Sequence, residues 1–164
     1  MIFREPFEPT SEAALDDFAL KRGIVLPHEY RAFLLKHNGG YAPNDSYIRV
    51  ESWNSTAIHT MLGLVDNESE SISVQRLGGF SKEVRRQLLK IAFDSGSHMF
   101  VMDLRTKNYG KIYIRDHNTP PKLVPVIDDF GFDKYDPEEA TLYHHIANSF
   151  TEFLDMLGPE PEGE

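Results

Sequence analysis

Apolar residues recur every third or fourth position near the two ends of the chain and closer to every second position in its middle. The first helical stretch follows Thr10 or Ser11, either able to cap it, and runs to about Arg22 with Leu15, Phe18 and Ala19 on one face. In "GIVLPHEYRAFLLKHNGG", residues 23–40, Gly23 closes that helix and Pro27 fits the first position of the next. Tyr30, Phe33, Leu34 and His37 then fall at i, i+3, i+4 and i+7. Asn38-Gly39-Gly40 accepts left-handed backbone and stops the helix.

Beyond the loop "YAPNDS", the stretches "YIRVES" and "AIHTMLGL" read as strands. Residues 67–80 read as a short helix or an irregular segment ended by Gly78-Gly79, and "SKEVRRQLLKIAFD" changes from a short helix or turn to strand near Leu89. Residues 98–104 and 109–117 make the best hairpin, with Lys107-Asn108 at its tip. In "KLVPVIDDF", Pro125 argues against a central strand. A closing helix is predicted from Leu142, Ile146, Ser149, Phe150, Phe153 and Leu157, ended by Gly158-Pro159. The pattern therefore predicts a single α+β domain over 1–164, with a central, largely antiparallel sheet packed against N-terminal and C-terminal helices. Residues 158–164, "GPEPEGE", read as a loosely ordered acidic tail.

Composition narrows the chemistry. The 164 residues contain no cysteine, which excludes disulfides, thiolate nucleophiles and Cys-ligated zinc. The start "MIFREPFEPT" lacks the basic-then-apolar run of a signal peptide, and no stretch approaches transmembrane length, so a cytoplasmic location is expected. The net charge is −9 and unevenly placed: residues 81–122 hold nine Lys/Arg against four Asp/Glu, residues 133–164 one Lys against nine Asp/Glu. Such a chain is a poor nucleic-acid binder and a natural partner for something basic.

Candidate chemistry is sparse. His98, Asp103 and His117 lie on or beside the predicted hairpin and form the one set suggestive of a metal or hydrolytic site, without any established ligand spacing. His144 and His145 are adjacent, so their rings diverge. "FDSGSH" lacks the nucleophile-elbow pattern and reads as a turn, and "GGFSK" lacks Walker spacing. No catalytic residue, metal ligand or cofactor site is assigned. Six acids, Asp128, Asp129, Asp133, Asp136, Glu138 and Glu139, crowd a Gly- and Pro-bearing segment before the last helix and form the leading candidate for partner contact. Trp53 and Tyr47 make a second candidate surface.

Three stretches in order resemble the SUKH superfamily, the group that includes the fungal Smi/Knr-type cell-wall regulators. They are Gly23, Leu26-Pro27, Tyr30, Phe33-Leu34 and Asn38-Gly39-Gly40; then "IAFDSGSHMFVMDL" with "GKIYIRDH"; then "IANSFTEFLDML". The chain departs from the family pattern in its first helix, where Asp16-Asp17 lie earlier than the usual acid. The resemblance implies a non-enzymatic protein-binding module. Bacterial members are similar to immunity proteins that neutralise toxins, often nucleases, by direct contact, and a basic toxin domain suits the acidic charge seen here. Two alternatives stand beside that expectation: a regulatory or scaffold module like the fungal members, and a metal-dependent hydrolase using His98, Asp103 or His117.

Overall fold

Two capped helices open the structure, a computed structural model that describes residues 1–50, 55–73, 82–116, 143–160 and 162. Helix α1, Glu12–Arg22, begins at Ser11, whose hydroxyl accepts from the Ala14 N–H at 3.1 Å, and ends at Gly23 with φ +71°. Helix α2, His28–His37, starts one residue later than predicted. Pro27 sits in the cap with ψ 140°, and its carbonyl accepts the first helical bond, from Arg31 at 2.9 Å. Leu15 and Phe18 of α1 and Tyr30, Phe33 and Leu34 of α2 are buried, as their spacing requires.

The sheet contains β1 (Glu5–Pro6), β2 (Gly40–Tyr41), β4 (Ser55–Met61), β5 (Leu88–Asp94), β6 (Met99–Asp103), β7 (Ile112–Arg115) and β8 (Tyr143–Ala147), in the order β1-β2-β4-β5-β6-β7-β8. Strand β3 (Tyr47–Arg49) pairs with the first half of β4 and, on its other side, with β9 (Leu157–Gly158). All these pairings are antiparallel. Helix α3, Lys82–Gln87, runs directly into β5. Arg22, at the end of α1, donates to the carbonyls of Arg85, Arg86 and Leu88, joining the first helix to this junction. The predicted hairpin is present, with Met99↔Arg115 through Met102↔Ile112 in register and a 3-10 turn over Thr106–Asn108.

The closing helix is shorter than its apolar spacing suggested. Tyr143–Ala147 is a strand paired with β7, and the helix, α4, covers only Phe150–Asp155. Ser149 caps it by accepting from the Glu152 N–H at 3.1 Å, while the Glu152 carboxylate accepts from the Asn148 N–H at 2.7 Å. The Ser149 cap, with Glu152 reaching back to the residue before it, fixes the helix start at residue 150. Beyond the helix, Leu157 and Gly158 pair with Ile48 and Tyr47.

The core lies between the helices and one face of the sheet. Phe150 of α4 meets Tyr30 and Phe33 of α2 at ring-centroid distances of 4.8 and 4.9 Å, both edge to face, and Phe153 meets Phe100 of β6 at 5.5 Å. Ile58, Met61, Leu89, Ile91, Met102, Ile112 and Ile114 complete the sheet side.

Asn38-Gly39-Gly40 does more than stop a helix. Asn38 is buried with φ +48°; its amide donates to the carbonyls of Glu8 at 2.7 Å and Leu64 at 3.2 Å and accepts from the Leu64 N–H at 2.8 Å. A Cβ on Gly39 (φ +81°) would collide with the Met61 carbonyl oxygen and lie 2.8 Å from the Leu62 carbonyl carbon; one on Gly63 would strike the Asn38 carbonyl. Gly23 shares the left-handed backbone but has open space around it. Gly23→Ala is therefore expected to cost about 1 kcal/mol, the left-handed penalty alone, and Gly39→Ala more than about 3 kcal/mol. Urea unfolding of the two variants checks this, and equal losses would refute the packing account.

Candidate functional site

Of the residues singled out for partner contact, Asp128, Asp129, Asp133, Asp136, Glu138, Glu139 and Trp53 lie outside the described residues. Tyr47 lies on β3, half-buried, opposite Ala57. Burial raises its phenol pKa, and the charge of Glu160 and a hydrogen bond to it raise it further. Tyr47 and Glu160 help to line a cleft of about 360 Å³ with Arg4, Ala42, His59 and Ser95.

Of the histidine set, His98 and Asp103 stand at opposite ends of β6. Asp103, at the far end of β6 from His98, is fully buried and bound by Arg105, whose Nη2 lies 2.8 Å from its Oδ2 and whose backbone N–H donates to Oδ1 at 2.9 Å. His117 lies outside the described residues. Among the described residues there is no cluster of three or more His, Asp or Glu able to hold a metal.

His98 belongs instead to a polar row across one end of the sheet. Its Nδ1 lies 2.8 Å from Asp94 Oδ2 and its Nε2 3.1 Å from Asp116 Oδ1, both carboxylates being nearly inaccessible to solvent. The imidazole thus spans two carboxylates withdrawn from water, which need such polar partners. Thr56 donates to Asp94, and Asp94 Oδ1 accepts from the N–H groups of Gly96 and His98. "FDSGSH" is thus the turn that its residue types predicted, tied by Asp94, with Ser97 at φ +66°. His144, buried on β8 beside Asp116, extends the row.

The opposite face of the sheet carries a feature that no sequence spacing reveals. Phe7, Tyr41 (β2), His59 (β4) and Phe93 (β5) stand in line with centroid separations of 5.9, 5.6 and 5.9 Å, all four half-buried. The Tyr41 hydroxyl donates to Glu70 Oε1 at 2.6 Å, and Glu70 Oε2 accepts from the Asn67 side chain at 2.9 Å. Burial does not alternate along β4 or β5, so the alignment comes from strand register alone.

Residues 9–156 match the SMI1 / KNR4 family (SUKH-1). The chain belongs to that family. Searches of the curated proteins and of the solved structures found no match. The SMI1 / KNR4 match spans α1 through α4, so the helices and strands β2 to β8 fall within the family's extent, while β1 and β9 lie just outside it. No helix among the described residues of this SMI1 / KNR4 chain is long and apolar enough to cross a membrane.

Two measurements test the polar row. His98→Leu leaves Asp94 and Asp116 facing each other without the ring, and is expected to cost about 3 kcal/mol or more in urea unfolding at neutral pH; a loss under ~1 kcal/mol would show that the row contributes little. The His144 imidazole is held below its ordinary 6.5 by burial, which the Asp116 charge partly opposes. The fold therefore prefers the neutral ring: its contribution is complete above pH 6.5 and is lost as pH falls through the lowered value. His144→Gln is expected to flatten the fall of Tm with acidification in that window. His37, lowered by burial and then by the charges of Lys36 and the N-terminus, keeps part of the slope. An unchanged slope in the variant would contradict the assignment.

Proposed function

We propose that this SMI1 / KNR4 protein is an immunity protein that acts in the cytoplasm without catalysis, binding and neutralising a cognate toxin domain by direct contact. The observation that carries the reading is the family match over residues 9–156, since bacterial SUKH proteins resemble immunity proteins of toxin systems. Charge supports it. The chain carries −9, and a nuclease built to attract phosphate presents the complementary positive surface.

In this reading the leading contact is the acidic cluster Asp128, Asp129, Asp133, Asp136, Glu138 and Glu139, with Tyr47 and Trp53 as a second surface. Opposite potentials accelerate encounter and are screened once the Debye length falls to ~8 Å at physiological salt. Co-expression with the product of the adjacent reading frame tests the function: rescue of growth supports it, and a harmless neighbour or absent rescue overturns it. Replacing the six acids by Asn or Gln is expected to slow association with that product severalfold at low salt while leaving unfolding free energy nearly unchanged. Association as fast as wild type at low salt would remove the acidic cluster from the mechanism.

A further inference from the structure

Deepening the reading of this chain as a binder of a basic protein, we propose that the outer sheet face built by Phe7, Tyr41, His59 and Phe93 is a docking surface for an arginine side chain of that partner, with Glu5 and Glu70 neutralising the guanidinium.

The register places these groups together. Glu5 pairs directly with Tyr41 and Tyr41 with Thr60, which in turn pairs with Phe93, so Glu5, Tyr41 and Phe93 project from one face. Phe7, two residues beyond Glu5, touches the Tyr41 ring edge to face, and His59 stacks on Phe93 with an interplanar angle of 18°. The other sheet face is filled by the helices; this one leaves its four rings half-buried. Half-buried rings in mutual contact form a platform with little rotamer freedom left to lose on binding, which favours recognition.

The charge around the rings selects the occupant. Glu70 is preorganised: its two oxygens hold the Tyr41 hydroxyl and the Asn67 amide, and lone pairs remain to accept from a cation. The turn that carries it is fastened to the core by Ile72, whose N–H donates to the Gly63 carbonyl at 2.8 Å. The Tyr41 phenol pKa is raised by its hydrogen bond to Glu70, by the Glu70 charge, by burial and by the Glu5 charge, a sign of negative potential at that ring. Asp66, exposed on the same turn, adds to it. Lys90 and Arg115 lie toward the Phe93 end of the face, and the Arg4 guanidinium beside His59 is committed to the Ala42 carbonyl at 2.8 Å, so an incoming cation is directed to the carboxylates at the Phe7–Tyr41 end. A planar guanidinium stacks on an aromatic face while pairing with carboxylates in its plane; an ammonium does the second but not the first.

The test is a titration of the isotope-labelled full-length protein with an arginine hexapeptide and a lysine hexapeptide, followed by NMR. The expected result is shift changes centred on Tyr41, His59 and Glu70, with the arginine peptide bound several times more tightly than the lysine one. Tyr41→Ala and Glu70→Gln are each expected to weaken arginine binding roughly fivefold to tenfold. Tyr41→Phe, which keeps the ring, retains most of it, so a folding defect in the alanine variant does not decide the outcome. Equal affinity for the two peptides, or shifts confined to other surfaces, would overturn the proposal. So would concentration-dependent self-association abolished by Tyr41→Ala, which would assign the face to a second copy of this chain. The co-expression assay separates the two readings. Rescue by wild type and equally by Tyr41→Ala removes the ring platform but leaves the immunity reading. Failure of wild type to rescue, with the peptide results as expected, removes the immunity reading but leaves the platform.

Discussion

The side-chain amide of Asn38 ties together three segments just where the pairing of β1, β2 and β4 ends. It binds the carbonyl of Glu8 before α1 and both backbone groups of Leu64 after β4, from a position at the end of α2. Buried amides need such partners, and here the partners set the architecture. The arrangement works because Gly39 and Gly63 bring backbone against backbone with no side chain between them. It places β2 beside β4, which in turn aligns β1 and positions the Tyr41 ring.

The two sheet faces divide the labour. The inner face is apolar where α2 and α4 cover it and becomes polar at its end, where Thr56, Asp94, His98, Asp116 and His144 replace hydrocarbon. The His98 bridge lies at the junction where β5 turns into β6 and β7 ends, so it closes the edge of the core with hydrogen-bonded polar groups rather than with a helix. The outer face carries rings and carboxylates held in fixed positions by strands, which is the usual division between scaffold and recognition surface.

Local chemistry made the helices legible. Ser11, Gly23, Pro27 and Asn38 each act within a few residues of their own position, so α1 and α2 stand within one residue of their predicted starts. The closing helix was over-extended because Leu142, Ile146 and Phe150 share helical spacing, while Tyr143, His144, Ile146 and Ala147 are buried by sheet neighbours, a pattern without alternation. The Ser149–Glu152 pair was the signal that marks the true boundary. The ring platform was illegible for another reason: Phe7, Tyr41, His59 and Phe93 are scattered along the chain, and only strand register aligns them. The acidic cluster at 128–139 was legible as charge alone and lies outside the described residues.

Strands β1 and β9, two residues each, give the chain termini a role as guards of the sheet. β9 occupies the free side of β3, and Pro159 follows it, a residue with no N–H to offer a further strand. A chain cut before Leu157 would keep its aromatic core yet present the Tyr47–Arg49 backbone as an open template, converting a paired edge into a site for strand addition and aggregation.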